Sequence, residues 1–343
     1  MLNPVFSINH MRYMAPIFYQ MAHRLRDAIE GDLESSGTSE VDMLDWMGRM
    51  ALELIGQGGL GYSFDPLVAS TQNSFGEALK ALLPTLGRCA HYIMVIPQLV
   101  KIGPASFRRR LVELFPDPNV RAMKKIVDTM EARAKEILED KRAALRAGDE
   151  ALMQQIGEGK DIMSILMRSN MSADPKDRLT EEELVAQMST LVFAATDTTS
   201  NALARTLDLL STHLDVQEKL RAEILEAGHG EDIPYDQLVD NLPYLDAVCR
   251  ETLRLHPPAS LAAREALKDI VLPFSEPIQG LDGTMIDEVV VPKGTMVFVG
   301  IRSANRNKAI WGEDALEWKP ERWLSPMPHA VKEAKIPGVY MNL

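Results

Sequence analysis

Six consecutive side chains with hydrogen-bonding groups run from Thr196 through Asp197, Thr198, Thr199 and Ser200 to Asn201. They interrupt an apolar run that begins at Leu191 and resumes at Leu203. Such residues compete with the helical backbone for hydrogen bonds and prefer caps and turns. On a helix, Leu191, Ala194, Ala195, Thr198 and Ala202 would share one face, and the small residues would leave a shallow groove for something flat. Thr198 is the polar point on that groove, with Asp197 about 100° round the helix. Hydroxyls of this kind can bend or locally open a helix. An acid and a hydroxyl at a bend can hold water and pass protons. A threonine-rich helix packed closely on a neighbour would use the same residues, and the stretch alone does not separate the two.

Three more groupings carry charge at helical or loop spacing. Glu251 and Arg254 in ETLR are three apart and face each other on a helix. The apolar stripe of that helix reads as Leu245, Val248, Cys249 and Thr252. Arg264 stands ten residues beyond Arg254, just before a β-rich stretch. In KPERW (319–323), Glu321 and Arg322 lie between Trp318 and Trp323. An exposed Glu–Arg pair is common and worth only about 0.2–0.5 kcal/mol, so the pair by itself identifies nothing.

Other motifs are weak or missing. GQGGLG (56–61) fits G-x-G-x-x-G, but a dinucleotide loop needs a strand before it and a helix after it. Here a helix precedes it, so a glycine-terminated helix is the reading. The sequence has no G-x-S-x-G, no Walker A loop and no H-E-x-x-H, and its seven histidines make no i, i+4 ligand pair.

Helical periodicity dominates the elements that must position these residues. Helices are expected over 11–30, 40–55, 71–100, 106–146 (with proline interruptions), 161–170, 180–211, 214–227 and 242–256. Thr180 and Glu183 have capping-box spacing, which marks the start of the helix carrying the polar row. EDKRAALRAGDE (139–150) reads as a solvated helix end or linker. Asn3-Pro4 reads as a turn. Short strands are expected at 269–273, 287–292 and 295–300, with a turn at Pro292–Gly294 between the last two. The fold class is mainly α with a small β portion, and no linker divides the chain.

Composition limits the partners. The 343 residues are 46% hydrophobic and 25% charged, ordinary for a globular chain. A net charge of −12 argues against nucleic acid as the main partner, though Arg108, Arg109 and Arg110 form a local basic patch. Two isolated cysteines, Cys89 and Cys249, make neither a disulfide framework nor a zinc site. No stretch reaches the length of an apolar membrane span.

Taken in order, AATDTT (194–199), ETLR (251–254), HPP (256–258), Arg264, VPKGT (291–295) and PERW (320–323) resemble the cytochrome P450 family of heme-thiolate monooxygenases, in the style of its eukaryotic microsomal branch. The motifs cover residues 180–325, and helix order carries the resemblance back to residue 1. It implies a cytochrome P450-like fold and a single partial domain over 1–343. It also implies heme as cofactor, NADPH acting indirectly through a reductase, and insertion of one oxygen atom from O2 into an apolar small molecule. Asp197 and Thr198 match the acid–alcohol pair that delivers protons on the distal side. Ala194 and Ala195 match the small residues over the heme, where the family often has glycine at the second position. Arg264 matches the arginine that pairs with a heme propionate. Glu251, Arg254 and Arg322 match a structural Glu-Arg-Arg triad.

Two departures qualify the match. The family's ligand loop, F-x-x-G-x-R-x-C-x-G, does not follow PERW, and neither Cys89 nor Cys249 has that context, so no metal ligand is assigned in this chain. The family's early N-terminal part and membrane anchor have no counterpart. The expectation is therefore an internal fragment of an enzyme that at full length sits on the cytoplasmic face of the endoplasmic reticulum membrane. The competing expectations are a truncated non-catalytic product and a helical interaction protein without heme. Segment 71–120 is expected by chain order to roof the substrate pocket.

Overall fold

The computed structural model describes residues 7–37, 40–65, 67, 74–148 and 159–333. The reading of Asn3-Pro4 as a turn lies outside these residues. The chain is mainly helical with two small β ladders. It divides into two compact units: Met1–Ala204 with Leu225–Asn241, and Arg205–Ile224 with Leu242–Leu343.

The first unit is built from long amphipathic helices. α1 (Ile8–Ser36) starts where the Ser7 side chain accepts from the His10 amide, and it stops at Gly37 in the left-handed region. α2 (Met43–Leu54) is capped by Asp42. Met21 and Leu25 of α1 pack on Trp46, Met47 and Met50 of α2. The GQGGLG stretch ends the helix at a glycine, as expected, but later than the 40–55 helix implied. The helix does not stop at the first glycine; it widens into a π-helical turn over Ile55–Leu60 and ends at Gly61 with φ 59°. Close packing holds glycine at the first position of this turn: a Cβ on Gly56 would sit 2.6 Å from the Tyr62 carbonyl oxygen.

The helix expected over 71–100 is shorter than its pattern. α3 covers Ser74–Arg88, and a 3-10 turn and the four-residue α4 (Ile96–Leu99) follow. α5 (Ala105–Leu114) and α6 (Pro118–Ala147) part at Phe115, Pro116 and Asp117, where prolines forbid a continuous ladder. α7 is Ile162–Ser172. α8 (Glu181–Thr212) begins in this unit. The Thr180 hydroxyl accepts from the Glu183 amide, and the Glu183 carboxylate accepts from the Thr180 amide, which closes the capping box. Met130, Ile137 and Leu138 of α6, Met163 and Leu166 of α7, and Met188 and Val192 of α8 form the main core.

The second unit contains the end of α8, most of α9 (Leu214–Gly228), α11 (Pro243–Leu255) and all the strands; α10 (Tyr235–Asp240) belongs to the first. β1 (Ala262–Glu265) pairs antiparallel with β4 (Met296–Val299), and β2 (Ile270–Gln279) with β3 (Met285–Val291). The turn at Pro292–Gly294 therefore joins strands of different ladders rather than a hairpin. Strand β1 was not foreseen, because AARE has no β-branched residue to mark it. Short helices α12 (Ile301–Asn305), α13 (Lys308–Trp311) and α14 (His329–Glu333) complete this part.

Candidate functional site

The polar row of α8 does not break the helix, which runs unbroken from Glu181 to Thr212. Three of its side chains bond to backbone carbonyls about one turn back. Thr198 Oγ1 donates to Ala194 O at 2.6 Å, Asn201 Nδ2 to Asp197 O at 2.7 Å, and Ser200 Oγ to Asp197 O at 3.1 Å. The helical assignment is not interrupted at the row, and the back-bonding seen there is of the kind that competes with the helical ladder. Ala194 and Thr198 are exposed on one face, with Leu191, Ala195 and Ala202 half-buried beside them.

Asp197 and its neighbours face elsewhere. Asp197, Thr196, Ser200 and Phe193 line a polar cavity of about 230 Å³ with Asp45, Arg49, Asp65 and Lys80. Arg49 is fixed there by two hydrogen bonds to Asp65, of 2.7 and 3.0 Å, and Lys80 pairs with Asp45. Thr196 Oγ1 is buried and has no partner among the described residues. The helix forms a second groove of about 780 Å³ with α3 and α6, with an apolar floor that includes Leu82, Val127, Met130, Val185 and Phe193 and charged side chains of Glu131, Lys135, Glu181 and Glu182. Of the 71–120 segment, Leu82 alone reaches this groove. Sequence reasoning did not single out Phe193, Arg49 or Lys80. The first reads as one more core residue, and the two cations gain meaning only from helices that meet far along the chain.

The second unit brings Glu251, Arg254 and Arg322 into one buried network. Arg254 Nε and Nη2 donate to the two Glu251 carboxylate oxygens at 2.8 Å, and both side chains are fully excluded from solvent. The remaining Arg254 protons go to the carbonyls of Asn305, Ala315 and Glu317. Arg322 Nε reaches Glu251 at 3.3 Å and its Nη1 reaches Asp314 at 2.8 Å. The Lys319 amide and the Trp323 indole also donate to Glu251. Asp314 is held below the usual carboxylate range, chiefly by the Arg322 hydrogen bond.

Arg264 lies on β1, exposed, and its guanidinium donates to the carbonyl of its neighbour Ala263 at 2.8 Å. Cys89 is half-buried at the end of α3, while Cys249 is exposed on α11. The latter corrects the apolar stripe: Tyr244, Val248 and Thr252 are buried, and Cys249 turns outward. Among the described residues no group of three His, Cys, Asp or Glu could hold a metal ion.

Comparison with known proteins decides the family. The cytochrome P450 family pattern matches residues 1–337. The chain belongs to the cytochrome P450 family. It is 57% identical over 346 residues to cytochrome P450 monooxygenase 219 of Postia placenta, covering 100% of this chain and 63% of that protein. It is 50% identical to ganoderic acid synthetase CYP5150L8 of Ganoderma lucidum, again with 100% and 63% coverage. The crystal structure of the cytochrome P450 CYP102L1 superposes with TM-score 0.68 at 26% identity, over 94% of this chain and 60% of that one. The chain thus spans 63% of the length of each of these two curated relatives.

The family's cofactor is heme, and the residues present fit it in part. A flat macrocycle needs a helix face without bulk, and α8 offers exposed Ala194 and Thr198 one turn apart. A carboxylate-bearing edge needs a cation with donors to spare; Arg264, in the second unit, is exposed and bonded to its neighbour's carbonyl. Among the described residues no helix is long and apolar enough to cross a membrane.

Proposed function

We propose that the whole protein is a heme-dependent monooxygenase that inserts one oxygen atom from O2 into an apolar small molecule, using electrons from NADPH through a reductase. The observation that carries this reading is the exposed Ala194–Thr198 face of α8 with Asp197 beside it, in a chain 57% identical along its whole length to a cytochrome P450 monooxygenase. Heme, when bound, supplies the redox chemistry of oxygen. Ala194 and Ala195 would lie against it, and Arg264 would hold one of its carboxylates. Neither cysteine of this chain is assigned as an iron ligand.

The chain's own part is proton handling and order. The Thr198 hydroxyl donates to the Ala194 carbonyl, and a turn about χ1 would aim it outward from the helix. The Asp197 carboxylate lines a polar cavity and can accept a proton there and pass it on. Glu251, Arg254 and Arg322 act as a structural clamp on the backbone between Asn305 and Glu317. The two units are parts of one cytochrome P450 domain over 1–343. The microsomal style of the motifs supports the cytoplasmic face of the endoplasmic reticulum membrane as its site. The ganoderic acid synthetase relative makes the precursor of that product the first substrate to try.

The test is to express the full-length protein with a reductase and supply ¹⁸O2. One labelled oxygen atom per product molecule supports the reading, and product without label removes it. A full-length protein that binds no heme favours a non-catalytic helical interaction protein.

A further inference from the structure

Arg302 precedes Asn305 and Arg306 by three and four residues at α12, so the three side chains leave the same side of that turn. Arg306 is anchored: its Nε donates to the Leu255 carbonyl at 2.9 Å, and its Nη2 lies 3.5 Å from His256 Nδ1 at the end of α11. Arg302 is exposed. Its amide donates to the Ser260 carbonyl at 3.1 Å, and its guanidinium has no partner among the described residues. Asn305 is 1% exposed, and its carbonyl is held by Arg254, yet its side-chain Nδ2 is buried with no partner among the described residues. One side of α12 thus carries donors without acceptors, graded from buried Asn305 to exposed Arg302.

Positive charge collects at the same place. Burial lowers the His256 pKa to about 4, helped by Arg205, Arg306 and Arg302 and opposed by Asp208. The imidazole is therefore neutral at pH 7 and can accept from Arg306. Burial, then the charges of Arg302, Arg254 and Arg205, hold Arg306 below its usual range. Arg254 is neutralised by Glu251, and Arg205 is paired with Asp208 at 2.6 Å. Three arginines, Arg205, Arg302 and Arg306, thus stand against Asp208 in a chain whose net charge is −12. Gathered like charges repel, and a buried donor without an acceptor is costly. An anion relieves both. Guanidinium forks match the oxygens of a tetrahedral oxyanion two at a time.

We propose that Arg302, Asn305 and Arg306, with Arg205, form a binding site for an oxyanion of the phosphate class. Arg302 grips the anion from the solvent side, the Asn305 amide donates at the inner end, and Arg306 and Arg205 supply further charge. The bound anion ties α12 to the end of α11, next to the buried Glu251–Arg254 pair. The site lies within the second unit and needs neither heme nor turnover, so it stands apart from the monooxygenase reading.

The experiment titrates the full-length protein with inorganic phosphate by isothermal calorimetry, with ionic strength held constant by sodium chloride. Wild type is expected to bind one phosphate per chain. Arg302→Ala removes an exposed group with no partner to lose, so the fold should survive by circular dichroism. Phosphate binding should weaken about tenfold, the scale of one charge-assisted contact. Arg302→Lys should recover part of the loss, because it keeps the charge but not the fork. Asp208→Asn releases Arg205 from its pair and should tighten binding several-fold. Phenyl phosphate separates the two sources of such a group. Tighter binding of inorganic phosphate assigns a free ion, tighter binding of phenyl phosphate assigns the phosphate of a larger molecule, and either must weaken in Arg302→Ala. A wild type that binds neither compound overturns the site, as does equal affinity in wild type and Arg302→Ala. Should Arg302→Ala not fold, unchanged or weaker binding in Asp208→Asn overturns it equally.

Discussion

Glu251 and Arg254 form a bidentate pair, two hydrogen bonds of 2.8 Å between side chains that are fully buried. The pair is not a surface i, i+3 contact, because Arg254 also holds three backbone carbonyls, one at the end of α12 and two from residues 315 and 317. Removing the carboxylate would strand a charged guanidinium in the interior. Glu251→Ala should therefore cost about 3–5 kcal/mol. Arg254→Lys should also be damaging, since an ammonium cannot serve both carboxylate oxygens and three carbonyls in a fixed plane. Urea unfolding followed by circular dichroism checks both. A loss within the ordinary surface range for Glu251→Ala would show that the network is dispensable.

Thr198→Ala separates function from stability. The hydroxyl is exposed and bonded only to a carbonyl of its own helix, so its loss should change stability by no more than about 0.5 kcal/mol. In the full-length enzyme the same change should lower product formed per NADPH several-fold, with the remainder appearing as peroxide or water. Unchanged coupling would take Thr198 out of the proton path.

Legibility followed the range of the interaction. The α8 capping box, the helix over 181–212 and the Glu251–Arg254 facing pair were readable because each depends on residues three or four apart. The Arg322 contact with Glu251 spans 71 residues, and only family resemblance could join them before the fold was known. The π-turn at 55–60 was unreadable because its glycines answer to Tyr62, Phe64 and Met14, not to a turn signal. Asp197 was legible as an acid beside Thr198. Its cavity was not, because Arg49 and Lys80 arrive on helices from elsewhere in the chain.

His256 provides a pH test. Burial is the main reason that its pKa falls from 6.5 to about 4, helped by the positive charges of Arg205, Arg306 and Arg302 against the opposing charge of Asp208. The unfolded chain binds the proton more readily than the folded one. The native state is thus fully favoured above pH 6.5, and this contribution is lost as pH falls from there toward 4. His256→Gln should flatten that part of the stability curve relative to wild type. Parallel urea curves between pH 7 and 4 make the comparison, and identical slopes would show that His256 is not the responsible group.

Two glycine substitutions test whether the π-turn is a packing requirement. Gly31 lies inside α1, and a Cβ there meets nothing within 4 Å. Gly31→Ala should stabilise the protein by about 0.5–1 kcal/mol by reducing the freedom of the unfolded chain. Gly56 is also helical, yet a Cβ would stand 2.6 Å from the Tyr62 carbonyl oxygen and 2.7 Å from the Phe64 ring. The ring could turn aside, but the carbonyl is backbone; the Tyr62 amide is in turn bonded to the Gly56 carbonyl at 2.9 Å. Gly56→Ala should therefore destabilise by about 1–3 kcal/mol, the opposite sign to the same substitution at Gly31. Thermal unfolding of the two variants side by side reads the difference directly. A Gly56→Ala protein as stable as wild type would mean that the turn at 62–64 can move away, and that the π-helical widening follows from local sequence preference alone.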